Sequence, residues 1–249
     1  MTVFRNAIFL AALAGLVAGL VMTGLQTFFT VPLILQAETY ENAGGGHDHA
    51  AAAENHEHDH DAAGGAHEHD ADAWMPADGA ERTLFTALAN IVTGVGFALL
   101  LVAVSEIAGG IATWRAGLVW GFAGFAVFTL APGLGLPPEL PGMPAADLLP
   151  RQAWWIATVA ATAVGLALIA FRTAPWLAIL GVALIVAPHI VGAPQPASHE
   201  TAVPADLHHR FVVAATLTNL VFWLVLGAAV AVFRQRFSTV LGAPQQSLA

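Results

Sequence analysis

The chain has no cysteine and no lysine, and only 10% of its 249 residues are charged. Without cysteine there are no disulfides, no thiolate metal sites and no cysteine nucleophile. Without lysine there is neither a Schiff-base amine nor the phosphate-gripping side chain of a Walker A loop, so any ATP site belongs to another subunit. A net charge of −9 argues against nucleic-acid binding, which needs a basic face to neutralise phosphates. Soluble domains carry about 25% charged residues. With 57% hydrophobic residues, this chain belongs in a lipid bilayer.

Crossing about 30 Å of hydrocarbon takes roughly 17 to 25 apolar residues as a helix. Such runs occur near Ala7–Thr30, Leu84–Ile107, Ala116–Pro132, Ala153–Phe171, Trp176–Val191 and Phe211–Phe233. The expected fold is therefore an all-α integral membrane protein, a polytopic helical bundle of six transmembrane helices. The third and fifth runs are short, which leaves five spans as the alternative. The first run is too long for a signal-peptide core and no A-x-A site follows it, so it reads as a span. Residues 1–37 then form the first transmembrane helix and N-terminus, and 38–82 an outer loop. Residues 83–233 form the helix bundle, with a Pro-rich loop at 132–152 and an outer loop at 192–210, and 234–249 form a C-terminal tail.

Six spans put both termini on one side. Arg5, Arg115, Arg172, Arg234 and Arg236 share that side, against Arg82, Arg151 and Arg210 opposite. Positive-inside counting favours cytoplasmic termini, and the expected location is the bacterial inner (plasma) membrane, multi-pass. Ala11, Gly15 and Gly19, like Gly117 and Gly121, repeat at four-residue spacing and read as helix-packing faces. Trp114, Trp154, Trp155 and Trp176 lie near span ends and read as interfacial anchors. Pro132–Pro150, dense in Pro and Gly, is expected to be extended or turned, an ordered outer loop or lid.

Between the first two runs lies a tract of His, Asp, Glu, Ala and Gly holding His47, His49, His56, His58, His60, His67 and His69. Imidazole suits divalent Co, Ni, Cu and Zn, and neighbouring carboxylates either join the coordination or orient the ring. Extended backbone turns alternate residues to one side, so His56, His58 and His60 can face one ion together. The tract has no periodic apolar face, so it is expected to be disordered without metal. Transient capture of a transition metal is the functional reading, and a solvated acidic tether is the bland one. An unstructured N/O site follows the Irving–Williams order and cannot select cobalt by itself. His56-Glu57-His58-Asp59-His60 spells H-E-x-x-H, but that motif needs a packed helix, so no enzyme is expected.

His189 follows Pro188 near the end of the fifth run. Proline inside a helix frees the carbonyl four residues back, and an ionisable group at membrane depth is a functional hypothesis. A buried histidine satisfied by a carbonyl is the alternative. Glu38, Glu41, His199, Glu200, Asp206, His208 and His209 fall on the same outer face, so all eleven histidines face one compartment. Deeper polar residues are few. Gln26, Asn90 and Asn219 read as interhelical hydrogen bonders or path-lining groups, and Glu106 as an interfacial residue before Gly109–Gly110.

Several segments resemble the CbtA-type membrane subunits predicted to transport cobalt. They are Val31-Pro32-Leu33-Ile34-Leu35 with Glu38, Tyr40 and Glu41; Gly135-Leu136-Pro137-Pro138-Glu139-Leu140-Pro141-Gly142; and Arg151-Gln152 with Trp154-Trp155. Ala187-Pro188-His189-Ile190-Val191-Gly192-Ala193-Pro194 follows, then Glu200, Pro204, Leu207 and Phe211. The resemblance implies Co²⁺ uptake linked to cobalamin synthesis, Ni²⁺ or Zn²⁺ being the alternative substrates. It implies a small, single-span, His-containing CbtB-type partner, and Glu38, Glu41, His189 and Glu200 as path or metal contacts. The family is usually described with five spans rather than six. A poreless metal buffer or sensor is the rival reading, and a histidine-based pH sensor a third.

Overall fold

The computed structural model describes residues 2–44, 76–77 and 79–241. Among them all regular structure is helical, as the apolar periodicity demands of a chain whose backbone polar groups find no water in hydrocarbon. The helices are α1 (Thr2–Phe29), α2 (Val31–Gly44), α3 (Ala80–Ile107), α4 (Trp114–Phe125), α5 (Ala131–Gly135), α6 (Leu148–Phe171), α7 (Pro175–Val191) and α8 (Ala205–Leu241). A π-helical turn, Ala126–Leu130, joins α4 to α5. The seven histidines of the acidic tract lie outside the described residues.

Glycine fixes how the helices pair. Gly15 faces Gly94 and Val95, and Gly19 faces Ile91, so numbering rises on α1 as it falls on α3 and the two are antiparallel. A Cβ at Gly19 would sit 2.6 Å from the Ile91 Cα, so only glycine permits that approach. Gly117 and Gly121 of α4 meet Gly227 and Trp223 of α8 in the same antiparallel sense. The four-residue stripes expected to be packing faces are packing faces. α8 also lies against α1, and the buried cluster between them includes Leu10, Ala14, Met22, Trp223, Leu226 and Val230.

α6 and α7 form an antiparallel hairpin that packs chiefly on itself and reaches the other helices through the π turn and α5. Gly165 and Gly181 face each other, each with the other's carbonyl oxygen where its Cβ would go, at 2.5 and 2.6 Å. Five described helices are long and apolar enough to cross a membrane, and α7, at 17 residues, is the shorter sixth. Contacts nonetheless carry α7 along the length of α6, since Pro188 near its end meets Trp154 near the start of α6.

The Pro-rich stretch differs from expectation at both ends. Pro132 lies inside a helix, and Pro150 lies in the first turn of α6, so the irregular connection is only residues 136–147. The π turn explains Pro132. Ala131 N–H bonds back five residues to Ala126 O, and this wider turn admits a residue that has no N–H and whose ring would crowd a regular α-turn. The third run thereby extends to 22 residues, Trp114–Gly135, about 33 Å long at 1.5 Å per residue. α2 likewise continues the helical path past Glu38 and Glu41 to Gly44, within the stretch expected as loop.

Glu106, the start of α1 and the α3–α4 and α6–α7 turns share one end of the bundle with Arg234, which pairs with Glu106. α3 stops there in a Schellman arrangement. Gly109, at φ +87°, donates to Glu106 O, and Gly110 donates to Ser105 O. Thr113 then caps α4 by accepting from Ala116 N–H at 3.1 Å. The opposite end holds α2, the start of α3 and the 136–147 and 192–204 connections, and is called the loop end below.

Candidate functional site

At the loop end, charges meet in pairs. Glu38 Oε1 accepts from Arg82 Nη2 at 2.8 Å, tying α2 to α3, and Glu139 pairs with Arg151 at 3.2 Å, tying the 136–147 connection to α6. Pro137, Pro138, Glu139, Arg151, Gln152 and Trp155 line a cleft of about 500 Å³. Thr201 Oγ1 donates to the Gly142 carbonyl, and Leu140, Val203, Leu207 and Phe211 bury one another against Leu33 and Ala37. Glu41 packs beside Gly142.

The described histidines all stand at this end. His208 Nε2 lies 3.2 Å from the Pro138 carbonyl oxygen, an acceptor only, so Nε2 carries the proton and Nδ1 is left to bind something else. His199 and Glu200 are exposed in the 192–204 connection, and His209 is exposed on α8. His189 differs, because its Nε2 is buried with no hydrogen-bond partner among the described residues. Its ring stands edge-on to Trp154, centroids 5.9 Å apart, while Trp154 Nε1–H donates to the Pro188 carbonyl at 3.2 Å.

That contact corrects the reading of Trp154 as an interfacial anchor. Trp154 is 8% exposed, held inward by the carbonyl of a proline-bearing turn, whereas Trp114 and Trp176 are 54% and 64% exposed as anchors should be. Glu38, Glu41 and His189 do not come together as one ligand set. Among the described residues, no three His, Cys, Asp or Glu side chains are grouped to hold a metal ion.

Nearer mid-depth, the deep polar residues do converge. Gln26 of α1, Asn90 and Thr93 of α3, Thr129 of the π turn and Asn219 of α8 line one cavity of about 290 Å³. Asn90 Nδ2 donates to Thr23 Oγ1 at 3.1 Å and to Gln26 Oε1 at 2.6 Å. Aromatic rings line its other side, with Phe128 stacked on Trp223 at 5.6 Å and Trp223 Nε1–H donating to Thr129 Oγ1. Thr93 and Thr129 were not singled out in the sequence. A signal existed on α1, where Gln26 falls on the helical face of Gly15, Gly19 and Thr23, but nothing in the chain pointed to the π turn beyond Pro132 itself.

No curated protein and no solved structure matches this chain. Residues 4–235 match CbtA, described as a probable cobalt transporter subunit. With helices suited to a bilayer, histidines gathered at one end and a polar cavity between the helices, a match over nearly the whole length places the chain in the CbtA family.

Proposed function

We propose that this chain is the membrane subunit through which divalent cobalt enters the cell for cobalamin synthesis, nickel or zinc being the alternative cargo. The observation that carries the reading is the gathering of His189, His199, His208 and His209 at the end from which the acidic tract departs. In this reading His47, His49, His56, His58, His60, His67 and His69 concentrate metal outside the cytoplasm. His208 Nδ1 and His189 Nε2, with Glu38, Glu41 and Glu200 near the mouth, pass it inward. An inside-negative potential drives entry by about 2.3 kcal/mol per charge per 100 mV, doubled for a dication. A small, single-span, His-containing CbtB-type companion completes the transporter.

The test is uptake of radioactive cobalt and nickel into vesicles held at an inside-negative potential, with and without the companion. Cobalt entry above protein-free vesicles is expected, and no entry of either ion under any gradient overturns the reading. The seven histidines of the acidic tract would also serve a second reading, a metal buffer or sensor without its own pore. Deleting residues 44–72 separates the two. A transporter keeps uptake at high metal and loses it at low metal, whereas a sensor loses its response at both.

A further inference from the structure

The hydrogen bonds around the 290 Å³ cavity settle which atoms it has left to offer. The Thr23 hydroxyl donates its single proton to Gly19 O at 2.8 Å, so toward Asn90 it can only accept. The Asn90 amide nitrogen must therefore face Thr23 and Gln26, and its Oδ1 is left without a partner among the described residues. Asn219 is oriented by the same logic. Its Nδ2 donates to Ala215 O, which can only accept, at 2.9 Å, leaving its Oδ1 over. Thr129 Oγ1 accepts from an indole N–H, and its own hydroxyl proton and second lone pair remain. The wall thus offers carboxamide oxygens and hydroxyls from three separate elements, with no carboxylate, imidazole or thiol.

Neutral oxygen of this kind offers cobalt or nickel nothing over the water it would displace, unlike imidazole. It is well matched to the outward-pointing hydrogens of water bound to a dication. At about 290 Å³, far above the roughly 10–15 Å³ that admits one water, the cavity is roomy enough for an ion with a six-water shell. Phe97, Phe128 and Trp223 add π faces, which attract a cation. Resting on the uptake reading above, we propose that this cavity is a way station that holds a divalent metal ion with its water shell intact, through Asn90 Oδ1, Asn219 Oδ1 and the Thr93 and Thr129 hydroxyls. A pathway needs sites favourable enough to enter and weak enough to leave. A carboxylate here would hold the metal too long.

Asn219 is the residue to vary, because its amide bonds only within its own helix. In vesicles holding the full-length chain and its companion, Asn219→Leu removes the oxygen and should lower the maximal rate of cobalt entry at least tenfold. Asn219→Asp supplies a direct ligand and should lower both the maximal rate and the half-saturating metal concentration. Equilibrium binding of cobalt to the solubilised Asn219→Asp protein should show one additional tight site relative to wild type, a readout that requires no transport. Size-exclusion profile and helical circular dichroism confirm that each variant folds. Should one variant not fold, Asn90→Asp replaces it, with the same expectation as Asn219→Asp. Wild-type entry with both variants unchanged, or with both reduced alike and no added site, overturns the way station while leaving the uptake reading standing. Absence of wild-type entry overturns the uptake reading, and the way station with it.

Discussion

Glu38 meets Arg82 at 2.8 Å before any metal arrives, and both side chains are about one-third exposed. Exposed pairs of this kind contribute about 0.2–1 kcal/mol. Glu38→Gln should therefore barely move the thermal midpoint of the solubilised protein, yet reduce cobalt uptake severalfold at limiting metal if Glu38 also guides the ion. Unaltered uptake would leave it a structural residue. His189 is the sharper case. A buried ring nitrogen without a partner costs about 1–3 kcal/mol, so such an atom calls for an occupant. His189→Ala should cut cobalt uptake at least tenfold, whereas Trp154→Phe, which removes the donor to the Pro188 carbonyl and shrinks a buried ring, should cost at least about 1 kcal/mol of stability and leave most uptake intact. Uptake by His189→Ala equal to wild type would remove that residue from the path.

At the scale of elements, close helix approach and the α3–α4 turn are the two features most exposed to single substitutions. Gly110 has φ +80°, and the Arg234 guanidinium occupies the space a Cβ would need. A left-handed backbone costs a non-glycine residue about 1–2 kcal/mol. Gly110→Ala should therefore lower stability by at least that amount in detergent unfolding and loosen the Arg234–Glu106 pair. An unchanged midpoint would contradict the geometry. Gly165→Ala presses a methyl against the Gly181 carbonyl, 2.5 Å from its Cβ. Overpacking of that sort costs about 1–3 kcal/mol. Because α6 and α7 pack chiefly on one another, loss should appear first as faster proteolysis or labelling of that hairpin, with the α1–α3–α8 core unaffected.

For the whole molecule, the two ends of the bundle make opposite statements about sidedness. The absence of cysteine makes the test clean. Ser198→Cys stands at the loop end, Ala112→Cys in the α3–α4 turn and Thr173→Cys in the α6–α7 turn, all exposed. With histidines outside and six crossings, a membrane-impermeant maleimide should label Ser198→Cys in intact cells and the other two only after lysis. Identical labelling behaviour of Thr173→Cys and Ser198→Cys, both protected in intact cells, would mean that α7 does not cross. Reversal of all three would put the acidic tract in the cytosol and remove the uptake reading.

Hydropathy along the chain determined that the protein is a bundle of apolar helices. The α1 and α4 glycine stripes were equally legible, as was the alternation that sets Arg234 and Glu106 at the end opposite Glu38 and Arg82. Those properties are carried locally, because each apolar run must close its own backbone hydrogen bonds in lipid wherever its neighbours lie. The inward turn of Trp154, the helical lodging of Pro132 and the meeting of Gln26, Asn90, Thr93, Thr129 and Asn219 were decided by tertiary structure alone. Which polar groups share a cavity depends on how each helix is rotated about its axis and which helix it faces, and residues 26, 90, 129 and 219 acquire a common wall only when four separate segments pack. The same packing groups no three of the described His, Asp and Glu side chains as a metal site, although the sequence had set Glu38, Glu41 and His189 on one outer face.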